Sequence, residues 1–366
     1  MKVGLCSLIC SVCVFTTALA ISRTAAQSIP VVLVPPSNAV LREEFSTLSV
    51  HALRELQDGR VLVTETGNSS RLIVADFKSG TVSPLGRRGS GPGEYTLGIG
   101  LYRLSGDSTL MVVAQERWLL LNGATIAQTV TLSDPWLSWI SGVDTLGQVL
   151  VRAAGRPDDD SGTVALRLRR GGTLVTTIRT ASSAEPGYPR PPELRANGGV
   201  RYLNDPWVGS ESALLFPDGW IAVARQRPYR IDWRSPDGKW TTGAPLPVPA
   251  VNVDEREKRG FMQRLAARSG AAVKSPSTYP VWPRQIPAFL SNARLLTTPN
   301  GKLLIPRTPT VDHPEMRYDE VNRAGRLERQ INLGKADRIL GFGVKSVYVS
   351  TMDDDGIQRI SRHPWP

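Results

Sequence analysis

The chain has 366 residues, 41% of them apolar and 21% charged, with 44 Lys and Arg against 33 Asp and Glu for a net charge of +11. This apolar content excludes a disordered chain and allows either two ordinary domains or one large β architecture. The basic excess is nearly all arginine and is scattered, at Arg87 and Arg88, Arg167 to Arg170, Arg225 to Arg234 and Arg256 to Arg268. That spacing reads as a solvated surface and excludes a basic tail or nucleic-acid arm.

In chain order, Lys2 precedes the apolar run VGLCSLICSVCVFTTALA, which ends in Ala18-Leu19-Ala20. A positive start, a short apolar stretch and small residues at its end predict a signal peptide over 1–26, cut after Ala20 or Ala26. Cys6, Cys10 and Cys13 all lie inside it, so the exported chain would hold no disulfide, thiol nucleophile or cysteine-bound metal. No cysteine follows the small residue that a lipoprotein signal shows. With no other long apolar run, residues 27–366 are expected to be a soluble, monomeric bacterial protein, periplasmic or secreted, without a transmembrane segment.

The remainder repeats. A turn residue and glycine, one variable position and a short apolar run recur as Asp58-Gly59-RVLV, Gly106-Asp107-STLMVV, Leu146-Gly147-QVLV, Asp218-Gly219-WIAV and Asn300-Gly301-KLLI, with a weaker copy at Phe342-Gly343-VKSVYV. Such dipeptides favour tight hairpins because the central residues accept positive φ. A second turn follows each of the first five roughly twenty residues later, at Ser79-Gly80, Asn122-Gly123, Gly171-Gly172, Asp237-Gly238 and Ala324-Gly325. Two hairpin turns so spaced frame four antiparallel strands, which is one propeller blade. The first blade is expected near 47–55, 60–65, 70–76 and 81–85.

Two stretches break the period. Residues 181–209 are rich in Pro, Gly and Asn and read as loop. Residues 250–286 open with NVDEREKRGFMQRLAARS, read as a helix near 252–269 with a capping box from Asn252 to Glu255 and an apolar stripe of Phe261, Met262, Leu265 and Ala266. The last blade, near 337–342, 346–351 and 356–361, leaves no room for an outer strand. SIPVVLV (28–34) or NAVLREEF (38–45) could supply it and close the ring. The expected fold is therefore all-β: a six-bladed β-propeller of four-stranded antiparallel blades, closed by an N-terminal strand, with insertions at 181–209 and 250–286.

GRRGSGPGEY (86–95) joins the first and second blades. A phosphate loop needs Gly-Lys-Ser/Thr opening a helix, and neither is present. The glycines instead permit a sharp excursion, and Tyr95 is placed to wedge between two sheets. LGRRGSGPGEYTLGIGLYRLSGDSTLMVV resembles an NHL repeat. With YRIDW at Tyr229 to Trp233, Asp237-Gly238 and the ending RILGFGVKSVYVSTMDDDGIQRISRHP, the chain is similar to a group of exported bacterial six-bladed NHL-like propellers. That resemblance implies the fold and assigns no chemistry.

Propellers bind on the face where between-blade and second-to-third-strand loops gather. The candidates there are Glu94, Tyr95, Glu116, Arg117, Trp136, Tyr202, Asp205, Trp207, Trp282, Arg284, Asp312 and His313, the last with Glu315 nearby. An aromatic and arginine rim suits a protein, peptide or glycan partner, or else packs the insertions onto the propeller. Export argues against nucleic acid. No nucleophile elbow is present, and only His51, His313 and His363 could serve zinc. Asp158–Asp160 and Asp353–Asp355 lack the alternating spacing of a calcium loop. No metal or other cofactor is therefore expected, and a binding or interaction module is the preferred reading. A calcium-dependent, lactonase-like hydrolase or lyase with its site in the channel is the alternative.

Overall fold

The computed structural model describes residues 29–45, 50–66, 70–113, 117–131, 140–152, 163–170, 173–181, 192–194, 200–202, 206–207, 211–279, 281–290, 294–334, 337–353 and 355–365. The expected signal peptide, the turn at Gly171-Gly172 and Asp158–Asp160 lie outside them. The described chain is mostly strand, with one α-helix at Glu255–Ser269.

Sheet one is an antiparallel meander of Val50–Glu55, Val61–Glu65, Leu72–Asp76 and Thr81–Pro84, close to the expected bounds. Val61–Glu65 is buried on both faces while Thr81–Pro84 is largely exposed. This explains why the run after each turn is continuously apolar: inner strands are sandwiched between neighbouring sheets, and outer ones meet water. Gly59, with φ +85°, makes the tight turn between the first two strands.

Sheet two repeats the pattern with Gly98–Arg103, Ser108–Val113, Arg117–Asn122 and Thr125–Thr131. Sheet three has Ile140–Val143, Gln148–Arg152, Thr163–Arg170 and Thr173–Ala181. Sheet four has Ser212–Leu215, Ile221–Gln226, Tyr229–Arg234 and Trp240–Thr241. The inner strands of sheets three and four touch through a parallel bridge, Gly142 to Leu215. A Cβ on Gly142 would fall 2.3 Å from the Leu215 carbonyl oxygen, so only glycine fits.

Sheet five comprises Leu296–Thr297, Leu303–Pro306, Arg317–Val321 and Leu327–Asn332. Sheet six has three strands of its own, Arg338–Phe342, Ser346–Met352 and Gln358–Pro364. Both N-terminal segments are used, each on a different sheet. Ala39–Val40 pairs antiparallel with Ser361 and Arg362 as the fourth strand of sheet six, and Phe45 bridges to Gln358. Val31–Leu33 adds in parallel to Gln330–Asn332, giving sheet five a fifth strand that the expected four-stranded pattern did not contain.

Buried apolar clusters lie between successive sheets among the described residues. Leu62, Leu72 and Tyr95 meet Leu101 and Met111 between sheets one and two. Val112 and Trp118 meet Val143 and Val149, and Leu150 and Leu166 meet Leu215 and Val223. Ile231 and Trp233 meet Leu303 and Ile305, and Leu304 and Tyr318 meet Ile339 and Val349. Finally Leu340 and Tyr348 of sheet six meet Leu53 and Val63 of sheet one.

Tyrosine hydroxyls cross most of these boundaries. Tyr102 donates to the Ile140 carbonyl at 3.0 Å, Tyr229 donates to Asp319 at 2.8 Å, and Tyr318 accepts the Ile339 amide at 3.1 Å. Tyr348 donates to the Glu55 carboxylate, which also accepts the Val344 amide at 3.0 Å. Burial, then the adjacent carboxylate, pushes the Tyr348 hydroxyl far above the usual tyrosine value, so it stays a donor. A cavity of about 440 Å³ is lined by the inner strands of all six sheets, with Leu53, Leu101, Gly142, Leu215, Leu296 and Gly341 around it.

The helix begins later than its capping-box pattern predicts. Asn252 sits in a short strand pair with Gln285, and the N-cap is Asp254, whose side chain accepts the Glu257 amide at 2.8 Å. Asp254, two residues on, caps the helix instead, with Glu255 and Glu257 in the first turn, while the Glu257 carboxylate accepts the Val311 amide at 2.9 Å. Of the expected stripe, Met262 and Ala266 are buried, whereas Leu265 is 41% exposed.

Tyr348→Phe removes a hydrogen bond to a buried-side carboxylate and is expected to destabilise the chain by about 1.5–3 kcal/mol. Urea unfolding measures this; a loss below about 0.5 kcal/mol would argue against the contact.

Candidate functional site

The antiparallel order puts every first-to-second turn on one face. The second-to-third connections and the joints between sheets lie on the other. By this topology Glu94, Tyr95, Arg117, Trp207, Trp282, Arg284, Asp312 and His313 share the second face. Glu116, Trp136 and Asp205 lie outside the described residues; Tyr202 lies in the short strand Val200–Tyr202.

Several of these candidates hold the scaffold together. In the joint 86–95, Glu94 accepts the Gly91 amide at 2.8 Å and pairs with Arg87 at 2.5 Å, which holds its carboxyl below the usual range, the amide bond contributing most. Arg117 donates to the Ser90 and Gly89 carbonyls at 2.9 and 3.2 Å. Tyr95 is 2% exposed, packs between sheets one and two, and accepts the Leu72 amide at 2.8 Å. The joint is thus a built structural element.

Trp207 and Trp282, from the two insertions, come together. Their ring centroids are 5.5 Å apart, and Phe261 of the helix lies 4.9 Å from Trp207 and 5.6 Å from Trp282. Tyr279 completes the group, and the Lys258 ammonium sits 5.9 Å from the Trp282 ring. Edge-on aromatic packing of this kind fastens the helix to the face. Asp312 pairs with Arg256 of the helix at 2.5 Å, and His313 Nδ1 lies 3.2 Å from Glu315; both are surface contacts. Arg284 is exposed and its carbonyl accepts the Val253 amide.

Beside this cluster a cleft of about 410 Å³ opens where sheet four meets sheet five. Four segments form it: the Gln226–Tyr229 turn, the connection 245–251, residues 285–288, and Arg307 to Thr310. Leu246, Val248, Ile286 and Pro287 give it apolar walls. Its floor is polar. Of its lining residues, Tyr229 and Arg307 donate to the fully buried Asp319 at 2.8 and 3.0 Å, and Gln330 donates to the same carboxylate at 2.8 Å. Burial, then the Asp319 charge, pushes the Tyr229 hydroxyl well up. The Arg307 guanidinium lies 5.2 Å from the Tyr229 ring centre.

Two floor atoms have no partner among the described residues: the Thr308 hydroxyl, on a residue 3% exposed, and Arg307 Nε. Buried polar groups are usually hydrogen-bonded, and these two belong to residues that line the cleft, where a ligand atom can meet them. A volume in the range of roughly 300–1,000 Å³ with apolar walls and few fixed polar groups is the usual form of a small-ligand site.

Sequence reasoning did not select Arg307, Thr308 or Asp319. The available signal was Asp319-Glu320, adjacent carboxylates in one strand and both fully buried. Among the described residues no three His, Cys, Asp or Glu side chains gather as a metal-holding group. Asp353 instead caps its own turn, accepting the Ile357 amide at 2.8 Å.

No protein-family model and no curated protein matches the chain. Among solved structures it is similar to the calcium-binding protein regucalcin of Agrobacterium tumefaciens, at 13% identity over 92% of this chain and 97% of that one, TM-score 0.44. It is also similar to virginiamycin B lyase of Staphylococcus aureus, at 10% identity over 88% and 87%, TM-score 0.37. A third is the Cps50 β-propeller domain of Myceliophteria thermophila, at 11% identity over 90% and 100%, TM-score 0.39. At these values no function transfers to this chain.

Proposed function

We propose that this chain is an exported six-bladed β-propeller that acts as a binding module, with its ligand seated in the cleft between sheets four and five. The inner strands of all six sheets around one cavity, and the packing of sheet six on sheet one, support a closed ring. The observation that carries the binding reading is the unpartnered Thr308 hydroxyl beside Arg307 at the base of an apolar-walled cleft. The ligand this chemistry suits is part of a protein, a short peptide or a glycan. It would bury apolar groups against Leu246, Val248 and Ile286 and present an acceptor to Thr308 and Arg307.

Export rests on the Lys2-led apolar run and its small-residue ending. N-terminal sequencing of protein recovered outside the cytoplasm is expected to begin at Ile21 or Gln27; retention of the apolar run in that fraction would contradict export with cleavage.

The cleft is tested by screening short peptides and oligosaccharides by NMR on the full mature chain. Binders are expected to shift the signals of Thr308 and Ile286. Ala288→Trp, which fills the cleft, is expected to weaken them at least tenfold, and Thr308→Val several-fold. Binders that shift other residues, or that tolerate Ala288→Trp at an unchanged melting temperature, would place the site elsewhere.

A further inference from the structure

The axial cavity lies toward the opposite face, at the end of the first-to-second strand turns. Arg54, Arg103 and Arg294 line it, each on or beside the inner strand of a different sheet. Among the described residues none of the three forms an ion pair. The two carboxylates on the same wall face uncharged donors: Glu55 takes the Tyr348 hydroxyl and the Val344 amide, and Asp107 takes the Gln57 amide at 2.8 Å.

Arg54 is 6% exposed. It donates to the Gly106 carbonyl at 3.0 Å and also to the Ser108 carbonyl and the Thr109 hydroxyl, while its buried Nε has no partner. Burial, then the Arg103 charge, pushes it down to about 10, with Asp107 opposing. Arg294 donates to the His51 carbonyl at 2.8 Å. His51, on the same inner strand as Arg54, is held below the ordinary histidine value, first by desolvation and then by the Arg294 and Arg338 charges. The walls thus carry positive charge that no carboxylate among the described residues contacts directly, buried at Arg54 and solvent-exposed at Arg103 and Arg294, and at Arg54 such charge is costly unless a counter-charge arrives. Guanidinium forks match the oxygens of a phosphate or carboxylate and bind them more strongly than neutral donors do.

We propose that the axial channel binds a small oxyanion, a phosphate ester or a carboxylate, held between Arg103 and Arg294 over the buried charge of Arg54. Arg54 also ties the Gly106-Asp107 turn of sheet two to sheet one. The Arg103 side chain makes no hydrogen bond among the described residues and is therefore the cleanest position to test.

Isothermal titration of the full mature chain with inorganic phosphate and with malonate, at low ionic strength, tests this. Saturable one-to-one binding of at least one of them is expected. Arg103→Gln should weaken it at least fivefold without lowering the melting temperature of the unliganded chain, Arg294→Gln should weaken it at least fivefold while also losing the His51 contact, and the exposed Arg326→Gln should leave it unchanged. The proposal is overturned if neither anion saturates. It is equally overturned if Arg103→Gln weakens binding less than fivefold, or if Arg326→Gln weakens it as much as the channel variants do. Should Arg294→Gln fail to fold, Arg103→Gln alone decides. Preference for phosphate or for malonate identifies which oxyanion chemistry the channel favours.

Discussion

The packing of the last sheet on the first is the constraint that the other features depend on. Tyr348 and Glu55 are 293 residues apart in sequence, yet they share a hydrogen bond within an apolar cluster built from Leu53, Val63, Leu340 and Ile360. Each sheet is buried on both faces only if a neighbour stands on each side, and the first and last sheets have no sequence-adjacent neighbour to spare. Joining them costs the closure entropy of a long loop, which grows only slowly with length. In return it buries two sheet faces, and the N-terminal strands pair edges that would otherwise invite association.

Apolar clusters alone would tolerate some sliding of one sheet over the next. The polar contacts across the boundaries do not, because a hydrogen bond has a required distance and angle. Tyr102, Tyr229, Tyr318 and Tyr348 each carry one hydroxyl across a boundary to a fixed partner. At the fourth boundary the device is elaborated. Asp319 collects Tyr229, Arg307 and Gln330, and two members of the network that fixes sheets four and five, Tyr229 and Arg307, line the cleft. Scaffold and binding surface are thus one set of residues there. Backbones approach closely at Gly142, against Leu215, and at Gly341, against Leu53, and both glycines line the same cavity as Arg54, Arg103 and Arg294.

The second strand of each sheet was legible in the sequence because it follows a glycine turn at a fixed offset and is largely apolar, and those two signals are local. The helix was legible too, though its start was misjudged by preferring Asn252 over Asp254 when two caps competed within three residues. The roles of the two N-terminal segments were not separable, since a short apolar run does not say which edge it will join. The candidate site was read least well. Exposed-looking aromatics such as Trp207 and Trp282 pack against Phe261 and Tyr279, and Arg117 and Glu94 brace the joint. The residues with unanswered hydrogen-bonding capacity or charge, Thr308, Arg307, Arg103 and Arg294, come from separate strands and connections. They carry no spacing in common, so only the sheet arrangement brings them to a cleft or a channel.

A disulfide between the chain ends reads the joining of sheet six to the N-terminus directly. Ala39 and Arg362 are register partners on adjacent strands, and a chain lacking residues 1–26 contains no other cysteine. With cysteine at both positions, mild oxidation is expected to give one intramolecular disulfide in monomeric protein, seen by mass spectrometry, with a higher melting temperature than the reduced form. Thiols that stay free in folded protein, or that link only between molecules, would contradict the proposed ring.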